Sequence, residues 1–413
     1  MSSHRLAHFT TSIASTMRRP RRSPWHALTL GCLLTLAACG PSGALRTIGT
    51  GPRTAHERYA RSLRDAGLDS TALGREWLAA SDSALRSPYR VSLPARELGV
   101  YSRAEARAVA YRIALREGER LRITLRADGP PARLYMDLFE VGTDSAQPFE
   151  HRVSAREELP PDSAAALLTL DHEALSDASF TLRLQPELLR NGRYELTMRV
   201  EPILAFPVDG RGNEAIQSLF GVDRDGGQRS HHGIDIFAPR GTPVLAGTNG
   251  VVRSISPNNL GGNVVWLGDS ERAQSLYYAH LDRHAVTAGQ RVRTGDTLGF
   301  VGNTGNARTT APHLHFGIYT RGGPIDPLRY VRRVAERPPA ITGDTAVLGQ
   351  RAVTTASLTL QGTLTDSVIP ARRLARQTPL TVMAASADAY RVQLDDGTSG
   401  YVPAKQVRAR AER

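Results

Sequence analysis

Apolar positions along the chain change period several times. Between 54 and 86 they recur at helical spacing in two pieces. Tyr59, Leu63 and Ala66 share one face, Gly67 breaks the run, and Leu73, Trp77 and Leu85 resume it with Ser70 as the candidate cap. These pieces are expected to dock onto a later domain. Between 87 and 203 the period becomes two. Leu121, Ile123 and Leu125 alternate with Arg and Thr, Phe180, Leu182 and Leu184 do likewise, and Tyr194, Leu196, Met198 and Val200 repeat the pattern after Asn191-Gly192. Strict alternation predicts strands with one buried face, hence a small β-sandwich. Residues 204–335 are Gly-rich with many short β runs. Glu336 to Gly343 reads as a linker, and beyond it Tyr390, Val392 and Leu394 alternate before the turn Asp395-Asp396-Gly397.

Composition narrows the class. The 413 residues suggest two to four domains. A hydrophobic share of 40% with 22% charged residues excludes a wholly disordered or collagen-like chain. Aromatics are only 6%, so the cores rest mainly on aliphatic side chains. No apolar run reaches the 18 or so residues of an ordinary membrane-crossing helix.

The amino terminus reads as an address. Arg18, Arg19, Arg21 and Arg22 precede the apolar stretch Leu28 to Ala38, and Leu36-Ala37-Ala38-Cys39 closes it. This resembles a bacterial lipoprotein signal, which implies cleavage before Cys39 and acylation of its sulfur. Met17 as the start gives a signal of more usual length. Gly40, rather than the Asp that retains such proteins at the inner membrane, implies the outer membrane, facing the periplasm. The chain has two cysteines, Cys32 and Cys39. One leaves with the signal and the other is lipidated, so no disulfide is expected. The formal charge of +12 falls to +7 without the five arginines before Cys39. Lys405 is the one lysine. The arginine excess fits either a solvated surface or attraction to an anionic envelope. No basic stripe interleaved with aromatics points to nucleic acid.

The chemistry concentrates in histidine. Of 12 histidines, six (His231, His232, His280, His284, His313 and His315) fall between 231 and 315. If His231-His232-Gly233-Ile234-Asp235 is a strand, His231, Gly233 and Asp235 share one side and His232 points away. Gly233 then leaves room for a metal. In His313-Leu314-His315-Phe316, the two histidines share a face while Leu314 and Phe316 enter a core. Zn²⁺ accepts imidazole and carboxylate, and a catalytic site keeps three protein ligands plus water. No Cys is available here to close the site. His280, in Tyr277-Tyr278-Ala279-His280-Leu281, is placed with His313 to flank the water and the scissile carbonyl, one taking a proton and the other stabilising the oxyanion. Spacing leaves open which does which. His284, His151 and His172 are expected at the surface.

H-x-x-x-D, then Y-A-H-L, then H-L-H-F, in that order, resembles the lysostaphin/LytM-type zinc metallopeptidases. Gly241-Thr242-Pro243-Val244, Gly250-Val251-Val252, Gly302-Asn303-Thr304-Gly305 and Asp326-Pro327 extend the match to about 130 residues. The resemblance implies an antiparallel β fold with zinc in a groove and cleavage of amide bonds in peptidoglycan peptides. It carries His231, Asp235 and His315 over as zinc ligands and His280 and His313 as catalytic histidines. Ala311 stands where the family often has Gly, and Gly317 where an acid often follows His-Phe. The tail, with its D-G turn and Gly400-Tyr401-Val402, resembles a bacterial SH3-like module, which implies cell-wall binding or a spacer.

The expected fold class is therefore mainly β. A lipoprotein signal (1–39) and a tether with a helical segment (40–86) lead into a β-sandwich accessory domain (87–203). A LytM-type antiparallel β peptidase domain (204–335), a linker (336–350) and an SH3-like barrel (351–413) follow. The expected activity is a lipid-anchored zinc endopeptidase acting on peptidoglycan. The alternatives are a non-catalytic envelope factor that binds peptidoglycan or activates an amidase, and a peptidase acting on protein.

Overall fold

The computed structural model describes residues 54–129, 132–142, 151–157, 166–334, 337–362 and 372–410. The signal and Cys39 lie outside the described residues, as does the side chain of His151. Strands dominate. Among the described residues no helix is long and apolar enough to cross a membrane.

Two helices come first, Ala55–Asp65 and Ala72–Arg86. Thr54 caps the first in a capping box with Glu57. Thr71, not Ser70, caps the second, because its hydroxyl accepts from the Gly74 amide at 3.1 Å while the Ser70 hydroxyl is turned back onto the Gly67 carbonyl. Both helices pack on the following domain. Ala60, Leu63 and Trp77 form a cluster with Tyr135, and the Trp77 indole N–H donates to the Pro186 carbonyl at 2.8 Å.

That domain is built from two sheets around one aliphatic core. One sheet runs in the order Tyr89–Arg90, Val109–Leu115, Ala178–Pro186, Leu134–Glu140, His151–Glu157. In the other, Ala95–Tyr101, Gly192–Pro202, Glu119–Asp128 and Ala166–Glu173 are neighbours. Leu121, Ile123, Leu125, Leu182, Leu196 and Met198 meet between them. One expectation is corrected here. In Ala178–Pro186 both faces are buried, because the helices cover the outer one. Thr181, Arg183 and Gln185 lie under them, and Arg183 donates to Ser81 and pairs with Asp137. His172, expected at the surface, is half-buried with its ring 4.7 Å from that of Phe180.

A second core runs from Ile203 to Val331. Its main sheet orders Ile216–Ser218, Ile234–Phe237, His313–Thr320, Gln274–His284, Asn263–Asp269, Gly250–Ser254 and Arg291–Val292. Polar contacts tie it to the sandwich. Glu173 accepts from both Arg120 and Arg272 at 2.7 Å, and the Tyr330 hydroxyl donates to Glu117 at 2.7 Å.

The C-terminal strands have a core of their own, but they also extend a sandwich sheet. Pro379–Ser386 pairs antiparallel with Ala95–Tyr101, with Leu98 opposite Ala385. Beneath that junction Glu97 is buried with Arg391, Tyr111, Tyr194 and Tyr401, all of which donate to its carboxylate. The expected linker is shorter than 336–350. Val347 and Leu348 turn inward on a short 3₁₀ segment and join the C-terminal core.

Candidate metal centre and active site

The antiparallel register sets the site. Asp235 on Ile234–Phe237 lies directly opposite His315 on His313–Thr320, and Ala279 on Gln274–His284 flanks His315 on the other side. Strand alternation sends Ile234, Ile236, Leu314 and Phe316 into the core, all fully buried, and leaves Asp235 and His315 on the opposite face. The expected strand over 229–235 is interrupted. Only Ile234–Phe237 continues it, and His231 sits on the connecting loop. Backbone bonds with Gly221 and Val222 clamp that loop, so His231 still turns inward and His232 outward. Gly233 is required for close approach. A Cβ there would lie 2.7 Å from His315 Cε1 and 2.4 Å from the Phe316 carbonyl oxygen.

Three donor atoms converge. His231 Nε2 is 3.0 Å from Asp235 Oδ1, His315 Nδ1 is 3.0 Å from the same oxygen, and the two nitrogens are 2.9 Å apart. The His231 Nδ1–H donates to the Leu219 carbonyl at 2.7 Å, which leaves Nε2 with a lone pair. Arg224 donates to Asp235 Oδ2 at 2.6 Å and so reserves Oδ1 for the common point. Burial pushes the Asp235 carboxyl up, but the adjoining His231 and His315 rings outweigh it and hold the group well below the usual range. A tetrahedral zinc with bonds of about 2.0–2.1 Å spaces its ligand atoms roughly 3.3 Å apart, close to this triangle. The donor set fits Zn²⁺, with a fourth position left for water.

His280 and His313 stand beside this triangle, their ring centroids 5.0 Å apart. Each spends its Nδ1 on a backbone carbonyl at 2.9 Å, Thr304 for His280 and Ala311 for His313, so each presents Nε2. Because the Ala311 contact is made by backbone, the change from the family's usual Gly does not affect it. His313 also stacks on Phe237. Burial, then the nearby His313 and His315, lower the pKa of His280 to about 4, so its ring is neutral at neutral pH.

Regular alternation would have sent His280 into the core with Tyr278. Instead the strand bulges. Tyr278 and Leu281 both face the core while Ala279 and His280 both face the site, and His280 holds φ at +62°. Its amide donates to the Gly261 carbonyl at 2.7 Å. His284, expected at the surface, is half-buried, and its Nε2 has no partner among the described residues. Sequence reasoning missed Arg224, since a single arginine carries no spacing signal.

Residues 229–327 match the profile of Peptidase family M23. That match covers about a quarter of the chain. Over 94 residues the chain is 42% identical to peptidoglycan DD-endopeptidase ShyC of Vibrio cholerae, covering 23% of this chain and 21% of ShyC. Over 140 residues it is 36% identical to the L-Ala--D-Glu endopeptidase of Bacillus subtilis, covering 31% of this chain and 43% of that protein. The match thus spans less than half the length of either relative. The catalytic domain of lysostaphin from Staphylococcus simulans superposes with 31% identity and a TM-score of 0.25, over 28% of this chain and 87% of that domain.

Proposed function

We propose that the chain is a zinc endopeptidase that hydrolyses amide bonds in peptidoglycan peptides. The observation that carries this reading is the convergence of five side chains: three donors on one point, and two histidines beside it whose Nε2 atoms are free to exchange a proton. Bound there by His231, Asp235 and His315, zinc supplies Lewis acidity and lowers the pKa of a coordinated water. Arg224 and the Leu219 carbonyl orient the ligands. The Nε2 of one of His280 and His313 accepts a proton from the attacking water and passes it to the departing amine, while the other, protonated from solvent, donates toward the oxyanion. The name of peptidoglycan DD-endopeptidase ShyC supports peptidoglycan as the source of the peptide, and that of the Bacillus subtilis L-Ala--D-Glu endopeptidase supports an amide bond as the one cleaved.

The remaining expectations complete the proposal. Cys39 is lipidated and anchors the chain in the envelope, at the outer membrane facing the periplasm, and residues 351–413 serve as an SH3-like wall-binding module. The Leu36-Ala37-Ala38-Cys39 sequence supports the anchor. Replacing Cys39 by Ala is expected to move the protein from membrane to soluble fractions.

The decisive experiment is mass analysis of muropeptides after incubation with the chain. Products are expected without chelator and absent with it, and His315→Ala is expected to lose both bound zinc and hydrolysis. Unchanged hydrolysis by His315→Ala would reject the mechanism. Products that form only when an amidase is added would favour the non-catalytic envelope factor instead.

A further inference from the structure

Beyond the metal-binding triangle, the same sheet face continues as a shelf of aromatic rings. Strand register places Tyr277 beside Gly317, Ser275 beside Tyr319, and Trp266 beside Tyr277. The Trp266 ring centroid is 4.4 Å from Tyr277 and 5.0 Å from Tyr319, and Tyr277 is 5.9 Å from His315. The shelf therefore begins at a proposed zinc ligand. It is only partly covered. Tyr277 is pinned by Asn258, whose amide donates to its hydroxyl at 3.2 Å, but Trp266 and Tyr319 are half-buried.

Two glycines keep the shelf open. A Cβ on Gly317 would stand 3.0 Å from Tyr319 Cε2 and 2.9 Å from the His232 carbonyl oxygen. Glycine at 317 thus makes room for the rings and leaves the floor uncharged. A Cβ on Gly268 would lie 2.2 Å from Arg253 Nε, so the arginine lies across that glycine at the far edge of the shelf. Arg253 is exposed and forms no ion pair among the described residues. Gly268 lies opposite Ser275, and Ser275 opposite Tyr319, so the guanidinium stands two strands across and four residues along from His315. At about 4.8 Å per strand and 3.3 Å per residue this is roughly 16 Å, the reach of about five extended residues.

We propose that this shelf is a substrate subsite for an acidic peptide segment. Apolar parts of the peptide rest on Trp266 and Tyr319, and a free carboxylate about five residues from the cleaved amide pairs with Arg253. The inference rests on the endopeptidase reading and names what the enzyme selects. Aromatic faces take aliphatic groups by dispersion and burial, and an arginine fork takes a carboxylate through charge-assisted bonds.

The test compares cross-linked muropeptides with carboxylates intact against the same fragments converted to carboxamides, using the full chain. Wild type is expected to favour the acid form about tenfold in kcat/KM, near 1.4 kcal/mol. Arg253→Gln is expected to erase that preference and Arg253→Lys to restore part of it, while Trp266→Leu raises KM for both forms more than it changes kcat. An acid preference that survives in Arg253→Gln overturns the proposal. A second readout is independent of catalysis: quenching of the fluorescence that Trp266→Phe removes, during titration of the acid muropeptide into metal-free protein. If nothing is hydrolysed but this binding weakens about tenfold in Arg253→Gln, the subsite stands and the endopeptidase reading falls. Equal binding by the two proteins rejects the subsite.

Discussion

His280 provides a measurement of what aiming a side chain costs. An L-residue in the left-handed region is disfavoured by roughly 1–2 kcal/mol, because its Cβ crowds the following carbonyl. Glycine escapes that penalty but gives back about 0.4–1 kcal/mol through its freer unfolded chain. His280→Ala and His280→Gly lose the same imidazole contacts, so their difference isolates the backbone. The Gly variant is expected to be more stable by about 1 kcal/mol. For a unit of roughly 130 residues with an unfolding entropy of about 2.1 cal/mol/K per residue, that is about 4 °C in Tm. Calorimetry of the two variants in chelator reads it. Both are expected to lose a factor of about 10²–10⁴ in muropeptide hydrolysis while still binding zinc, since His280 is not among the converging donors. An Ala variant that melts at or above the Gly variant would refute the strained bulge. Loss of zinc from either variant would make His280 a ligand.

Three further outcomes are expected. Gly233→Ala drives a Cβ against the His315 ring and the Phe316 carbonyl; zinc titration is expected to show affinity at least tenfold weaker, in line with other disturbances around a metal site. Burial pushes Glu173 up, but the bonds from Arg272 and Arg120 prevail and its pKa lies below the ordinary 4.5. The stability it contributes is therefore present above that value and lost as pH falls through the depressed one, so Glu173→Gln is expected to flatten the dependence of Tm on pH on the acid side of 4.5. Arg391→Met strips the cation from the buried Glu97 and is expected to cost about 3–5 kcal/mol in denaturant unfolding, most of it recovered when Glu97→Gln is added.

Much of the geometry of the candidate site is legible because clustered histidines and strand periodicity leave local marks. Asp235 and His315 follow from alternation, and the inward turn of His231 against His232 follows too, although a clamped loop rather than a strand enforces it. His280 was named by motif, but its route to the site was not legible. A bulge is set by Gly261 and the neighbouring strand, both distant in sequence. Alternation likewise identified the apolar face of Phe180, Leu182 and Leu184, yet it said nothing of the second layer that buries Thr181, Arg183 and Gln185. Covering by helices is a tertiary event that a two-residue period does not encode. His172, which lacks partners at ligand spacing, and His284 are expected at the surface, yet neighbouring rings and strands half-bury them.

The pairing of Ala95–Tyr101 with Pro379–Ser386 has a consequence for how the chain is made. The first of these strands emerges from the ribosome nearly three hundred residues before its partner. Until the tail arrives, its edge offers unused amides and carbonyls to any passing strand. The region from Ile203 to Val331 is spelled out in between and has its own core, so it is free to assemble while that edge waits. A nascent or prematurely terminated product would then carry the zinc-binding residues on a body still prone to self-association. Quality control that removes such chains would favour molecules synthesised to the last strand.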